Sequence, residues 1–287
     1  MLDAQNITVR KQGSFILTDN SLQLRAGEIC CIVGRNGAGK STLLRALTGI
    51  EQLESGAVAY NDIDLLSADR YHALRDIGIM LSTNSFYEYL TCEQNLEIVQ
   101  RYYGQTRFTV EQVMDLFGLK DFGKQKVSRL SSGTKQRLSL ALVFINCPAL
   151  VILDEPFNSI DQENTRQIVK LIRQLNKDYN TAFLITSHSF DDVGALYSRL
   201  CILKNGEIVS QLTRQELERL VFFRVRETEL PITFDELIRI APSAQRDDDD
   251  VLFVVSTDQQ NHDFNKIAGT SSSQRPATPK DLYELFG

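Results

Sequence analysis

Apolar and polar positions follow two different periods along this chain, and the changes of period predict its secondary structure. Apolar residues recur at helical spacing over residues 161–177, which predicts an amphipathic helix. Four short runs are predicted to be strands buried on both faces of a sheet: 29–33, 150–153 and 200–203 are continuously apolar, and 182–186 is apolar up to Thr186. Strands that alternate with helices predict an α/β fold with a mainly parallel sheet.

Shorter alternating patterns predict a second, antiparallel element beside that sheet. Residues 7–9 and 21–24 alternate apolar with polar, as half-buried strands do, and 57–60 is a weaker strand of the same kind. We therefore expect an antiparallel β flap. Near the end of the main sheet, a helix is predicted at 192–197 and a hairpin turn at 204–207.

The stretch between the first two buried runs has a mostly helical pattern. It covers 91–117, which begins with a capping box of Thr91 and Gln94, and 138–145. Because this stretch lies between two core strands, residues 83–146 are predicted to form a helical subdomain.

The pattern of predicted strands and helices changes after residue 211. We therefore predict that 1–211 is one domain and that 212–287 is a small C-terminal α/β appendage. The pattern of the appendage predicts strands at 220–225 and 251–255, helices at 234–240, 264–268 and 281–286, and a loop at 270–279.

Composition narrows the class of protein. The chain has 287 residues, 43% of them hydrophobic and 24% charged, which is typical of a globular protein with its own core. Its net charge of −6 argues against broad charge-driven binding to nucleic acid or to anionic lipid. Its five cysteines include no C-x-x-C pair, so they are expected to be reduced thiols.

No signal peptide or membrane-spanning run is evident in the sequence. The longest apolar passage, 138–153, is interrupted by Asn146 and Pro148 and is too short to cross a bilayer. A membrane role is therefore expected to require a partner.

One loop carries the strongest chemical signal. It follows the buried run 29–33, opens a predicted helix at 41–47, and matches G-x-x-x-x-G-K-[ST], which surrounds phosphates with backbone N–H groups. Lys40 would neutralise the β- and γ-phosphates, and Ser41 would bind Mg²⁺. The pattern predicts a P-loop NTPase that binds a nucleotide. The loop comprises Gly34, Arg35, Asn36, Gly37, Ala38, Gly39, Lys40, Ser41 and Thr42.

Three polar residues follow two other buried runs. Asp154 and Glu155 come directly after 150–153, and His188 follows 182–186. Because the carboxyl ends of parallel strands meet at one edge of a sheet, these side chains should lie beside the phosphate loop. Asp154 would hold Mg²⁺, and Glu155 would orient or deprotonate the attacking water.

Residues 130–137, Leu-Ser-Ser-Gly-Thr-Lys-Gln-Arg, resemble the L-S-G-G-Q signature of the ATP-binding cassette (ABC) ATPases. Together with the other motifs, in order, this resemblance covers about residues 2–210. It implies a head-to-tail dimer in which Ser131 and Gly133 contact the γ-phosphate bound by the other subunit. It also implies that Glu155 is the catalytic base, that His188 contacts the γ-phosphate, and that Asp161 couples the two sites.

The chain departs from the family pattern at three places. Ser132 and Thr134 replace a glycine and the glutamine of the signature, and Ser82 stands where the family has another glutamine. The aromatic residue that stacks on adenine in the family is replaced near Lys11, and Phe15 is the candidate for that role.

The resemblance implies an ATPase subunit of an exporter with a separate integral-membrane subunit and a second ATP-binding subunit, of the same or another chain. Residues 276–286 are similar to the ends of bacterial exporter ATPases, and Phe86, Tyr87 and Tyr89 are the candidate docking aromatics. The chain is then expected to be cytoplasmic, at the inner face of the membrane. The alternatives are a soluble cassette ATPase acting on nucleic acid or ribosomes, which the acidic balance disfavours, and a kinase-like phosphate-loop enzyme, which the signature disfavours.

Overall fold

The computed structural model describes residues 1–81, 86–226, 228, 237, 241, 243–247, 250–256 and 273–286. Up to residue 213 its strands are β1 (Leu2–Lys11), β2 (Ser14–Leu24), β3 (Ile29–Val33), β4 (Ser55–Tyr60), β5 (Ile63–Asp64), β6 (Ile77–Met80), β7 (Leu150–Leu153), β8 (Ala182–Ser187), β9 (Arg199–Lys204) and β10 (Glu207–Thr213). The helices up to residue 218 are α1 (Lys40–Leu47), α2 (Arg70–Leu74), α3 (Cys92–Tyr103), α4 (Val110–Leu116), α5 (Ser132–Phe144), α6 (Gln162–Tyr179), α7 (Phe190–Val193) and α8 (Arg214–Glu218).

The main sheet has the strand order β10-β9-β3-β8-β7-β6. Strands β9, β3, β8, β7 and β6 pair in parallel, while the edge strand β10 runs antiparallel to β9. Every residue of β3, β7 and β8 is buried, which explains why these runs carry apolar side chains on both faces. The mainly parallel α/β sheet is therefore confirmed, and the loops that follow β3, β7 and β8 emerge side by side at one edge.

A second sheet, with the order β2-β1-β4-β5, is antiparallel throughout. Its inward side chains share an apolar cluster with the buried face of α1, including Leu43, Leu44 and Leu47. The predicted antiparallel flap is confirmed. Helix α1 thus packs between this flap and the main sheet, and it starts directly at the phosphate loop.

The predicted helical stretch divides into separate helices. The capping box of Thr91 and Gln94 is present at the start of α3, which ends at Tyr103 and is followed by Gly104 with a φ of 77°. A second capping box, of Thr109 and Gln112, starts α4. Helix α5 begins at Ser132 rather than at 138, because the polar signature residues form its first turn.

The helix predicted at 192–197 is misplaced. Helix α7 instead covers Phe190–Val193, and Gly194 closes it by donating its N–H to the Phe190 carbonyl oxygen at 2.8 Å. The chain then turns before β9. Helix α7 is a single turn with only two apolar residues, Phe190 and Val193, so apolar spacing does not mark where it begins.

The C-terminal region contains β11 (Leu220–Arg226), β12 (Gln245–Asp247), β13 (Asp250–Ser256), β14 (Ser273–Pro276) and helix α9 (Pro279–Phe286). Its antiparallel sheet has the order β12-β13-β11-β14. The predicted strands at 220–225 and 251–255 are confirmed. The loop predicted at 270–279 is wrong at β14, because pairing with β11 imposes extended structure on a segment whose composition is typical of a loop. The helix predicted at 264–268 lies outside the described residues, as does most of that at 234–240.

This region packs against the main sheet. Phe222, Leu282 and Leu285 belong to the same apolar cluster as Leu200 and Ile202 of β9. Because the packing is continuous, a domain boundary at residue 211 stays a prediction. All five cysteines are free thiols. No helix within the described ranges has the length and apolar character needed to cross a bilayer.

Candidate nucleotide site

The phosphate loop connects β3, in the middle of the main sheet, to α1. Gly34 donates its N–H to the Ser187 carbonyl oxygen at 3.3 Å, and a Cβ at Gly34 would lie 2.4 Å from the Leu203 carbonyl oxygen. Gly37 and Gly39 have φ angles of 85° and 104°, which favour glycine. These constraints fold the loop tightly, so that its N–H groups and the N-terminus of α1 form a concave anion site.

The Lys40 ammonium group is held inside this loop. Its side chain is only 6% exposed, and Nζ forms an ion pair with Glu155 Oε1 at 3.0 Å. Nζ also donates to the carbonyl oxygens of Gly34 at 2.6 Å and Arg35 at 3.1 Å. The sheet therefore brings the lysine after β3 and the glutamate after β7 into direct contact.

The two acids after β7 are fixed by a threonine on the neighbouring strand. Thr186 donates its hydroxyl to Asp154 Oδ1 at 2.7 Å and accepts the Glu155 N–H at 3.0 Å. Glu155 has a φ of 49°, a left-handed conformation that costs a non-glycine residue about 1–3 kcal/mol. The bonds to Thr186 and Lys40 hold this turn in place, so the strained residue is the acid that contacts the lysine of the phosphate loop.

His188 completes the cluster from the loop after β8. Its Nδ1 lies 2.8 Å from Glu155 Oε2, and its backbone N–H donates to the same oxygen at 3.2 Å. Burial raises the pKa of the neighbouring Asp192, while His188 opposes the shift. One carboxylate, Glu155, thus lies between the predicted lysine and the predicted histidine.

A cavity of about 550 Å³ opens beside this cluster. Ser41, Asp154 and Glu155 line it together with Ser132 and Gln136 of α5. Hydroxyl and carboxylate oxygens are the donors that Mg²⁺ prefers. Because Ser41 and Asp154 face the same cavity, the predicted metal-binding pair has the chemistry and the placement to fit that ion.

Ser131 of the signature and Asp161 both lie at helix starts. Ser131 caps α5, and Asp161 caps α6 by accepting the Asn164 N–H at 2.8 Å. That backbone bond, together with the Asn164 side chain, lowers the pKa of Asp161. A Cβ on Gly133 would lie 2.3 Å from the Asn164 side chain, so the glycine is needed for this contact. No hydrogen bond or ion pair in the described part of the chain joins Ser131, Gly133 or Asp161 to the phosphate loop.

Phe15 lies on β2, on the strand that passes the phosphate loop. A Cβ at Gly39 would lie 3.2 Å from the Ile16 carbonyl oxygen, which shows how closely β2 approaches. The Phe15 ring is 59% exposed, and the Arg10 guanidinium lies 5.1 Å from its centroid. Its role in stacking on adenine stays a prediction.

A turn on the far side of the phosphate loop supports it through contacts that no sequence motif indicates. Gly206, in the turn between β9 and β10, donates its N–H to the Ala38 carbonyl oxygen at 3.0 Å. The Gly206 carbonyl oxygen accepts from the buried Asn20 Nδ2 at 2.7 Å and from the Thr18 N–H at 3.0 Å. The sequence predicts the hairpin turn that contains Gly206, but it does not indicate that this turn contacts the phosphate loop, because the contact joins residues distant in sequence. Thr186 was missed for the same reason.

A central parallel sheet with a phosphate loop, two acids and a histidine at its carboxyl edge defines a P-loop nucleoside triphosphatase. A sequence profile of the ABC transporter family matches residues 17–158. The chain is 30% identical over 218 residues to YcbN of Bacillus subtilis (strain 168), an uncharacterized ABC transporter ATP-binding protein, covering 76% of this chain and 71% of YcbN. The chain belongs to this family of ABC transporter ATP-binding proteins and is an ATPase.

Two further likenesses extend this result. The methionine import ATP-binding protein MetN of Rhodopseudomonas palustris (strain BisB5) is 32% identical over 202 residues, 68% of this chain and 54% of MetN. The solved dimer of the ATP-binding cassette MJ0796 in a post-hydrolysis state with ADP and phosphate superimposes with a TM-score of 0.66 at 23% identity, over 74% of this chain and 98% of that chain. The P-loop fold class is confirmed, and the family membership leaves the direction of transport open.

Proposed function

We propose that this chain is the ATP-hydrolysing subunit of an ABC exporter and that it acts on a separate integral-membrane subunit. The observation that carries the catalytic part is the contact of Glu155 with both Lys40 and His188 at the edge of the main sheet. In this account ATP closes a pair of ATP-binding subunits, and hydrolysis opens it.

The reaction assigns a role to each residue of the cluster. Lys40 binds the β- and γ-phosphate oxygens together with the N–H groups of the phosphate loop. Glu155 orients and deprotonates the attacking water, and His188 contacts the γ-phosphate. Ser41 and Asp154 would hold Mg²⁺, which neutralises charge on the phosphates when it is bound.

The second ATP-binding subunit supplies the remaining contacts. Ser131 is exposed, and within the described residues it makes no hydrogen bond to the phosphate loop of its own chain. Both properties are expected of a residue that contacts the nucleotide of another subunit. Ser131 and Gly133 of one subunit would contact the γ-phosphate held by the other. Asp161 would couple the two sites, because Asn164 connects it to Gly133.

The proposed membrane partner docks on the aromatic residues that precede α3. Tyr87 and Tyr89 are 52% and 68% exposed, and their ring centroids are 5.9 Å apart. Buried Asn95 fixes the Tyr87 backbone, accepting its N–H at 2.7 Å and donating to its carbonyl oxygen at 3.1 Å. Phe86 is partly buried against the apolar core. Ser82 lies outside the described residues. This docking would hold the chain at the cytoplasmic face of the membrane.

Tyr87→Ala with Tyr89→Ala tests the docking. The double variant should keep the ATPase rate of the isolated subunit and lose the stimulation given by its co-purified membrane subunit in reconstituted vesicles. Tyr102→Ala, which removes an 85% exposed tyrosine elsewhere, is the matched control. Full stimulation of the double variant would remove the docking assignment.

The exporter direction rests on the similarity of residues 276–286 to exporter endings. Cells that carry only the Glu155→Gln chain should retain inside a small molecule that wild-type cells release into the medium. The reverse pattern, a molecule left in the medium by the variant cells, would make the protein part of an importer.

A further inference from the structure

The signature of this chain contains a hydroxyl pair. Ser131 Oγ lies 2.9 Å from Thr134 Oγ1, and the same Ser131 oxygen accepts the Thr134 backbone N–H at 3.2 Å. Both contacts come from a single residue, Thr134, which occupies the position where the ABC signature usually has glutamine. The hydroxyl contact therefore distinguishes this chain from the usual signature.

The number of donors and lone pairs determines what Ser131 can offer to a ligand. A serine hydroxyl has two acceptor lone pairs and one proton. If Thr134 donates both its N–H and its O–H, both lone pairs of Ser131 Oγ are occupied. The Ser131 proton is then the only hydrogen-bonding group left, and it is available to a phosphate oxygen.

A third residue favours this direction of the hydroxyl bond. Arg137 Nη2 donates to Thr134 Oγ1 at 3.5 Å. The guanidinium is cationic and can only donate, so its contact with Thr134 Oγ1 polarises the threonine O–H and favours donation onward to Ser131. Thr134 is 3% exposed, so water does not compete, whereas Ser131 is exposed.

We propose that Thr134 is a positioning residue that directs the Ser131 hydroxyl proton outward, toward the γ-phosphate bound by the second subunit. The order of donation runs from Arg137 through Thr134 to Ser131 and then to the phosphate. This inference rests on the proposed function, since it requires Ser131 to meet the nucleotide of the partner subunit. It adds the orientation of the donor, which the family signature does not specify.

Thr134→Val tests the inference in the full chain. Valine keeps the shape and the backbone N–H, so the cap of α5 remains, but the hydroxyl is lost. We expect kcat for ATP hydrolysis to fall about tenfold, the effect of one hydrogen bond, while ATP affinity measured by calorimetry in EDTA stays within about twofold. Thr134→Ser restores the hydroxyl and should keep at least about half of the wild-type kcat.

Three results would overturn the proposal: a Thr134→Val rate within about twofold of wild type, a Thr134→Ser rate as low as that of Thr134→Val, or a loss of rate that follows a loss of ATP affinity. If Thr134→Val has a lower melting temperature than wild type, Thr134→Ala removes the hydroxyl in a second way. In either case, the rate of Thr134→Ser shows whether restoring the hydroxyl restores hydrolysis.

Ser131→Ala separates this inference from the proposed function. If Ser131→Ala is slow and Thr134→Val is normal, only the positioning role fails. If Ser131→Ala hydrolyses ATP at the wild-type rate, the contact of the signature with the γ-phosphate fails as well. In the double variant, Thr134→Val should cause no further loss beyond Ser131→Ala, because its effect passes through that hydroxyl. An additive loss would contradict the proposed order of donation.

Discussion

Replacing Lys40 with methionine removes one charge from the phosphate loop while keeping a side chain of similar length. In the structure Nζ donates to the carbonyl oxygens of Gly34 and Arg35 and pairs with Glu155 at 3.0 Å. The ammonium group is thus already fixed where the β- and γ-phosphates are expected. Methionine can fill the same space but offers no donor to a phosphate oxygen.

The size of the effect follows from the bond that is lost. A hydrogen bond to a charged group contributes about 1.5–3 kcal/mol, so losing one such contact should weaken ATP binding about 10- to 150-fold. The Lys40 side chain is 6% exposed and that of Glu155 is 17% exposed, so removing the ammonium group breaks a largely buried ion pair and should also lower the free energy of unfolding, by about 3–5 kcal/mol. ATP affinity is therefore compared only at temperatures where both proteins are folded.

Calorimetric titration with ATP and Mg²⁺ measures this change directly, and thermal melting measures stability in parallel. Lys120→Met is the control, because its ammonium pairs with Asp115 at 2.9 Å on an exposed surface. The control should bind ATP like the wild type. Unaltered ATP affinity of Lys40→Met would refute the assignment of Lys40 to the phosphates.

Two other substitutions probe the support of the site and of the C-terminal region. Gly206→Ala places a Cβ 2.3 Å from the Ile16 carbonyl oxygen at φ +83°, whereas Gly13→Ala meets no atom within 4 Å at φ +84°. Gly206→Ala should therefore lower both the melting temperature and the affinity for ATP. Gly13→Ala should cost only about 1 kcal/mol of stability and leave ATP binding intact. Equal effects of the two substitutions would contradict the support of the phosphate loop by Gly206. For Asp281, burial raises the pKa, but the two Arg275 bonds at 2.6 Å outweigh burial and hold the pKa below its usual value. The stability that the Asp281 carboxylate contributes is present above the unfolded pKa of about 3.9 and is lost as pH falls. The difference in melting temperature between wild type and Asp281→Asn should therefore shrink below about pH 4. A difference that stays constant with pH would contradict this.

The main sheet could be predicted from sequence because its central strands are buried on both faces. Ile29–Val33 and Leu150–Leu153 are apolar at every position, and no competing pattern obscures them. The phosphate loop could be predicted because its constraints are local: the loop is held between a strand end and a helix start. Placing Glu155 and His188 beside Lys40 required only the rule that parallel strand ends share an edge.

Contacts between distant segments could not be predicted in this way. Thr186 orients Asp154 and Glu155 from a neighbouring strand, and Asn20 holds the turn at Gly206 from the flap. These residues have no periodic or motif signature, and only the folded chain brings them together. Strand β14 was missed for a similar reason, since its pairing with β11 outweighs its local composition.

In this account two copies of this chain close around ATP, and Glu155 opens the pair by promoting hydrolysis. The most direct test is the mass of Glu155→Gln in solution, measured by light scattering with and without ATP and Mg²⁺. The account predicts a shift with ATP from the 32.5 kDa of one chain to about twice that mass. It also predicts a hydrolysis rate about 10²- to 10⁴-fold below wild type. A variant that stays at the mass of one chain while ATP is bound, or that hydrolyses ATP at the wild-type rate, would contradict it.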